Sequence, residues 1–561
     1  MKNRFFLILL FSSFILLNQI NAQILVSYEL KRTYTLADIQ TMFDQFGIPS
    51  GVVNLQIKHK VKAYKVTYHT VGVDSITPTI ASGVFFVPEG YLCKIAMVDY
   101  NHGTMFERTG APSFMNTEEN KLGVLFATDG YAVAMPDYLG LGVNEGIHPY
   151  MHARSEATSA IDMIRACKEL SDTLSLALNG QLFLAGYSQG GHVTMATHKY
   201  IQKYFNNEIP VTASAPMSGP FDVSGAQSEV ITSDLPFTNP EYLPYVIMSY
   251  RYAYGIYPDI ESVFRNPYNT IIPHLIDGEH SGWDVYNACA NPPKLMLDSI
   301  AYNDFINDSI NNQLRKTLID NDVYDWITTS PIKIIYCGAD QTVVPANSIN
   351  AYNKFVENGC DSLVKIMDCG YYEHYECALW AMLSCKIFFD SYRNIALSFT
   401  NVELCTHRDS INGSAKVIVK GGVAPHTYLW KNGDTTSFSN HLRFGWNKLT
   451  VTDNGGCVVS DSIRFWVSGM DEKTTPLMSL NIYPNPADNV VTIDISIQKY
   501  KTPKTINIYS LSGKLIDILP VLKDQRTVVI DIKNYSIGIY FVKCTLDNDE
   551  YMWTKFIKKE L

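Results

Sequence analysis

"LAGYSQGGHV", residues 184–193, sets one serine among glycines at a point where the chain changes texture. Ahead of it runs a short apolar strand pattern, "QLFLA", and behind it "HVTMATHKYIQKY" has the spacing of a helix. Gly186 lies two residues before Ser188, and Gly190 and Gly191 follow at two and three. A strand that turns abruptly into a helix around a serine needs neighbours without bulk, because the turn is strained and lifts the hydroxyl clear of the backbone. A helix starting near Gln189 would also aim N–H groups and the positive end of its dipole at an oxyanion formed beside that hydroxyl. The stretch predicts a strand–turn–helix unit, and with it a sheet whose strands end at a reactive rim.

The flanking sequence supports such a sheet. "YKVTYHTVG", "TIASGVFFVP" and "KIAMVDY" read as three strands between residues 64 and 100. Further short apolar strands, "YAVAMPDY", "VTASAPMSG", "IKIIYCG" and "LVKIMDCG", alternate with helical stretches. In "ARSEATSAIDMIRACKEL", Ala157, Ile161, Ile164 and Cys167 fall on one helix face. Strands that begin antiparallel and then alternate with helices predict an α/β domain, residues 23–395, with a mostly parallel sheet covered on both faces. Residues 221–330 exceed any ordinary connection and are assigned to an inserted cap over the strand C-termini, where open α/β sheets bind ligands. Its aromatics, among them Tyr242, Tyr245, Tyr250, Tyr252, Tyr254, Tyr257, Phe264, Tyr268 and Trp283, either line a site or form the insert's own core. Beyond residue 395 helical periodicity ends. Residues 396–470, with "KGGVAPHTYLWKNGDTT" and "KLTVTDNGGC", read as a small β-sandwich, and residues 471–561 as a second small all-β domain after the polar "MDEKTTP".

Composition narrows the function classes. The 561 residues exceed one hydrophobic core, which stops growing at roughly 250 to 300 residues. Apolar residues make up 46% and charged ones 18%, with a net charge of −10 and no basic run, which excludes a nucleic-acid footprint. Lys2 and Arg4, an apolar stretch from Phe5 to Leu17 and a small residue at Ala22 predict a signal peptide over residues 1–22. That stretch is shorter than the roughly 20 residues a membrane span requires. Eleven cysteines in an exported chain can pair. Cys405 and Cys457 are the expected pair, since they bracket one small domain; Cys360, Cys369, Cys377 and Cys385 lack zinc-site spacing and read as structural thiols or disulfides.

A serine is a poor nucleophile at neutral pH and requires a base oriented by a carboxylate. Asp340, in "GADQTVVP" after one strand, and His374, in "YYEHYEC" after the next, stand at strand ends in the chain order serine, acid, histidine. Rivals are Asp368 and Glu376 beside the histidine, and His280 in the cap. The expected oxyanion donors are the backbone N–H groups of Gln189 and of Thr104, the latter in the turn "NHGTMF", where Gly103 permits a close backbone approach. His148 and His152 stand four apart without an evident third metal ligand, and His192 reads as a packed residue on the inner helix face.

"NHGTMF", "MPDYLGLGVNEGIHPYMHARSEATSAIDMIRA", "AGYSQGGHVTMA" and "GADQTVVP" together resemble the secretory-lipase-like branch of the α/β-hydrolase superfamily, over roughly residues 60–393. The resemblance implies an α/β-hydrolase fold and hydrolysis of a small-molecule or lipid ester through Ser188, Asp340 and His374, with no cofactor. A serine peptidase on the same fold and a catalytically inactive surface-binding protein are the alternatives. The closing segment, with "NIYPNPADNVVTI", "IYSLSGKLI" and "IGIYFVKC", is similar to a type A sorting domain of the type IX secretion system. That implies the secretion machinery as partner and a place outside the cell, secreted or attached at its surface. The domain before it is similar to repeats of bacterial surface adhesins, which implies a spacer or a glycan-binding module.

Overall fold

Nine strands form the sheet that organises the first part of the chain: β1 Leu25–Tyr34, β2 Val61–Val71, β3 Pro78–Pro88, β4 Ile95–Asn101, β5 Tyr131–Pro136, β6 Leu178–Tyr187, β7 Ala213–Met217, β8 Ile332–Tyr336 and β9 Val364–Asp368. The structure is a computed structural model and describes residues 23–45, 57–91, 93–308, 311–403, 405, 410–465, 479–496, 502–510, 515–522, 525–536, 538–547 and 551–559. The expected signal peptide and the "MDEKTTP" segment lie outside the described residues. Strand order is β1-β2-β3-β5-β4-β6-β7-β8-β9. The pairs from β1 to β5 are antiparallel, and those from β5 through β4 to β9 are parallel. β1, "LVSYELKRTY", is an edge strand buried only at its two ends.

β4, β5 and β7 are buried at every position and mostly apolar because helices cover both faces. Val98, Tyr100, Val133, Met135 and Phe183 pack on one side with α2 (Asn120–Thr128) and α12 (His374–Arg393). Their alternate neighbours Met97, Ala132, Ala134, Leu182 and Leu184 pack on the other with Ile161, Ile164 and Cys167 of α3 (Ala153–Thr173). The remaining helices of this domain are α1 (Leu36–Gln45), α4 (Gln189–Tyr200) and α11 (Ala346–Glu357).

Among the described residues, six α-helices lie between β7 and β8: α5 Ser228–Ile231, α6 Tyr242–Tyr254, α7 Tyr268–Leu275, α8 Gly282–Ala288, α9 Ser299–Asn307 and α10 Gln313–Asp320. Tyr245, Tyr250, Tyr257 and Phe264 are buried in the insert's own core, together with Tyr150 and Met151 from the main domain. Trp283, by contrast, is exposed and stacks on Tyr286.

The C-terminal third is all β. Two three-stranded sheets enclose Trp430, Leu449, Val451 and Phe465, and beyond them a three-stranded and a four-stranded sheet enclose a second core around Ile493, Ile508 and Val542. The expected Cys405–Cys457 bridge is corrected by the structure: Cys457 pairs with Cys93, 364 residues away, and Cys405 is a buried free thiol in the sandwich core. The cause is tertiary. The Lys94 N–H at the foot of β4 donates to the Gly455 carbonyl at 2.9 Å, so the sandwich docks where Cys93 emerges. A second bridge joins Cys337 to Cys377, while Cys360, Cys369 and Cys385 are free.

Two outcomes follow from this packing. Cys457→Ser should lower the urea midpoint of the full chain, by about 2–4 kcal/mol of stability, and should expose the sandwich to limited proteolysis; an unaltered transition would show that the bridge contributes nothing. Asp99 lies inside β4 with Asn101 Nδ2 donating to it at 2.8 Å, and burial pushes its carboxyl up to about 8. The folded chain therefore retains this proton to about pH 8, whereas the unfolded chain releases it near 3.8, so the Asp99 contribution to stability falls as pH rises through that window. Asp99→Asn should flatten the loss between pH 5 and 8 in urea titrations.

Candidate active site

Ser188 has φ 60° and ψ −123°, at the junction of β6 and α4. Conformations of this kind cost of order 1–3 kcal/mol and persist only where the surroundings enforce them. Here backbone does so. A Cβ on Gly186 would stand 2.2 Å from the Gly190 carbonyl oxygen, one on Gly190 1.9 Å from the Asn101 oxygen, and one on Gly191 2.5 Å from the Met217 oxygen. The start of α4 is thus wedged against the ends of β4 and β7, which only glycine permits.

The hydroxyl raised by this turn meets two later strand ends. His374 Nε2 lies 2.9 Å from Ser188 Oγ, and His374 Nδ1 lies 2.7 Å from Asp340 Oδ2. The other carboxylate oxygen of Asp340 accepts the N–H groups of Thr342 (3.0 Å) and Val343 (2.8 Å), which fixes the carboxylate plane. Ser188, Asp340 and His374 are 8%, 3% and 4% exposed, so the three groups interact out of bulk water. α12 begins at His374 itself. Cys377 in its first turn is tied to Cys337 at the end of β8, close to Asp340. The bridge holds the acid-bearing loop and the histidine-bearing helix together. The Tyr187 hydroxyl donates to the His374 carbonyl and steadies the same turn.

Gln189 and Thr104 flank Ser188, and among the described residues neither backbone N–H donates to a protein acceptor. The Gln189 side chain is held from beneath: its Nε2 donates to Glu156 Oε1 at 2.7 Å and to His148 Nε2 at 2.8 Å. Burial acts to raise the Glu156 carboxyl, but the hydrogen bond and charge of His192, with His148 and Gln189, hold it below the usual range. The two ring nitrogens of His192 face Glu156 Oε2 at 3.2 Å and the Asn321 carbonyl at 2.9 Å. His152 Nδ1 contacts Ser155 Oγ at 2.9 Å. Of the rivals, Asp368 accepts from Gly370 N–H at 2.8 Å, Glu376 is exposed, and His280 pairs with Asp277 at 2.9 Å in the cap; none reaches Ser188.

Ser188 opens onto two cavities. One extends into the cap between Val223, Ile231, Leu243, Ile247, Phe305 and Leu318 and is almost wholly apolar. The other lies toward α2 and α12 and is lined by Leu122, Ala378, Leu379 and Met382 together with Thr104, Glu118, Glu119, His374 and Tyr375. Tyr242 lines both and stands between them. Burial pushes the Glu119 carboxyl in the second cavity up to about 7. Glu119 and Glu156 have no sequence signal as site residues: "NTEEN" reads as a solvated loop, and Glu156 as a polar position of an amphipathic helix.

Comparisons with known proteins align with this geometry. Residues 115–214 match the family described as secretory lipase, and residues 481–559 the secretion system C-terminal sorting domain. No curated protein matches the chain. The solved structure of a putative hydrolase from Legionella pneumophila is similar at 29% identity, covering 65% of this chain and 97% of that one, with a TM-score of 0.60. The rice cell wall degrading esterase LipA from Xanthomonas oryzae is similar at 28% identity, covering 66% of this chain and 98% of that one, with a TM-score of 0.59. The fold is that of these hydrolases, followed by all-β domains, and the sorting domain marks the chain as secreted or held at the outer surface.

The close approach at the turn yields a direct test. Gly190→Ala forces a methyl onto the Asn101 carbonyl and should destabilise the domain by about 3 kcal/mol, measured by urea unfolding, with turnover lost in the protein that still folds.

Proposed function

We propose that the protein is an exported serine hydrolase that cleaves carboxylic esters, with Ser188 as nucleophile, His374 as general base and then general acid, and Asp340 as the group that orients the imidazole. The observation that supports this most directly is the unbroken hydrogen-bonded chain from Ser188 Oγ through His374 to Asp340 Oδ2, beside two unpartnered N–H groups. Ser188 Oγ attacks the ester carbonyl while His374 Nε2 takes its proton, and Asp340 stabilises the imidazolium that forms. The carbonyl oxygen becomes an oxyanion, which the Gln189 and Thr104 N–H groups receive. Collapse expels the alcohol, which takes the proton from His374. Water, activated by the same imidazole, then releases the acid and restores Ser188.

The two cavities suit the two halves of an ester. The apolar one accommodates the acyl chain and gains free energy from its burial, at about 0.8 kcal/mol per methylene. The second, where carboxyls and hydroxyls stand among Leu122, Leu379 and Met382, accommodates the alcohol part. The matched family and the LipA likeness point to the same chemistry, and the sorting domain delivers the enzyme to extracellular esters, free or attached to the cell surface.

A fluorophosphonate should label the full chain at Ser188, and Ser188→Ala should abolish labelling and lower kcat by on the order of 10⁵–10⁶. Labelling that survives the substitution rejects the assignment. Among p-nitrophenyl esters, kcat/KM should rise with acyl length until the cap cavity is filled. Turnover of aminoacyl nitroanilides in place of esters would identify a peptidase.

A further inference from the structure

The turn that offers the Thr104 N–H contains two peptide units, and side chains engage three of their four polar groups. The His102 carbonyl accepts from the Tyr138 hydroxyl at 3.2 Å. The Gly103 N–H donates to both oxygens of Glu119, at 2.9 and 3.1 Å. The Gly103 carbonyl lies 2.7 Å from His102 Nδ1, against 3.3 Å between Nε2 and the Asp137 carbonyl, so the shorter contact places the one hydrogen of the neutral ring on Nδ1. Burial keeps His102 neutral, with its pKa lowered to about 4. A trans peptide directs its N–H opposite to its carbonyl. Holding the Gly103 oxygen therefore aims the Thr104 N–H, the fourth group, and that one has no protein partner among the described residues.

Gly103 is where this arrangement is most easily lost. Without a Cβ its peptide planes rotate at little cost, so their direction must be imposed from outside. Glu119 occupies the N-cap position of α2, yet makes no side-chain bond to its own helix; the side chain crosses to Gly103 instead. It is also close to the nucleophile: the point where a Gly103 Cβ would sit is 3.0 Å from Glu119 Oε1 and 3.9 Å from Ser188 Cβ.

Resting on the function proposed above, we infer that Glu119 is a positioning residue: its carboxyl captures the Gly103 N–H and so presents the Thr104 N–H to the oxyanion. Losing this capture lets the turn rotate and misdirects one of two oxyanion donors. The loss is felt where negative charge develops on the carbonyl oxygen, hence in kcat, and far less in ground-state binding.

Two substitutions of matched shape separate acceptor from bulk in the full chain. Glu119→Met removes the acceptor and should lower kcat by about 10- to 100-fold, with KM changed by less than about threefold. The inhibition constant of an alkyl trifluoromethyl ketone, which forms the tetrahedral adduct, should weaken in proportion to kcat/KM. Glu119→Gln retains an acceptor oxygen and should recover kcat to within about fivefold of the parent. If the Met variant does not fold, Glu119→Asp, which withdraws the acceptor by one methylene, should show roughly a tenfold fall in kcat. Parental kcat in a folded Met or Asp variant, or a Gln variant as impaired as Met, overturns the proposal. Fluorophosphonate should still label Ser188 to completion in every Glu119 variant, so these outcomes are independent of the Ser188→Ala experiment, whose failure would instead reject the hydrolase reading.

Discussion

The contact between Gly190 and the Asn101 carbonyl is the constraint on which the rest of the site depends. With 1.9 Å between that oxygen and any Cβ on Gly190, the start of α4 lies against the end of β4 with no side chain between them. The same approach leaves Ser188 no conformation but the strained one, because its neighbours on both sides are fixed by parallel strands whose register is set deep in the core. Strain at Ser188 is thus sustained by the apolar packing of Val98, Phe183 and Leu184 against helices on both faces.

Convergence of the other two groups has a different origin. Asp340 and His374 leave the sheet from adjacent strands, β8 and β9, so parallel topology brings their loops to the same rim as Ser188. The Cys337–Cys377 bridge then fixes loop and helix to each other, and the N–H groups of Thr342 and Val343 fix the carboxylate. Around them the structure places two buried carboxyls with different tasks. Glu156 is held charged against His192 and secures Gln189 from below, whereas Glu119 sits beside the Gly103 turn with its pKa raised to about 7. Of the two proposed oxyanion donors, one stands at a helix start and the other in a turn, and each has its own support.

The cap and the sandwich attach to this domain in contrasting ways. The cap shares a hydrophobic core with Tyr150 and Met151, and Asn321 at its end accepts from Ala153 N–H at 2.8 Å, so the roof of the apolar cavity is continuous with the walls of the site. The sandwich is docked by the Cys93–Cys457 bridge and by the Lys94–Gly455 hydrogen bond at the opposite end of β4 from Asn101. It is joined to the hydrolase domain as a covalently fixed appendage.

What the sequence determined by itself is local: a glycine pattern that only a strand–turn–helix around Ser188 explains, apolar runs that only a doubly covered sheet can bury, and polar residues at strand ends. Those signals are short-ranged, so Ser188, Asp340, His374 and the Gly103 turn are visible as positions, and the insert as an excess of chain. Tertiary structure alone decided which groups touch. The partner of Cys457 lay 364 residues away, and Glu119 and Glu156 looked like ordinary solvated carboxylates. Each acquires its role from a neighbour brought close by the fold, and distance in space leaves no mark in the spacing of residues along the chain.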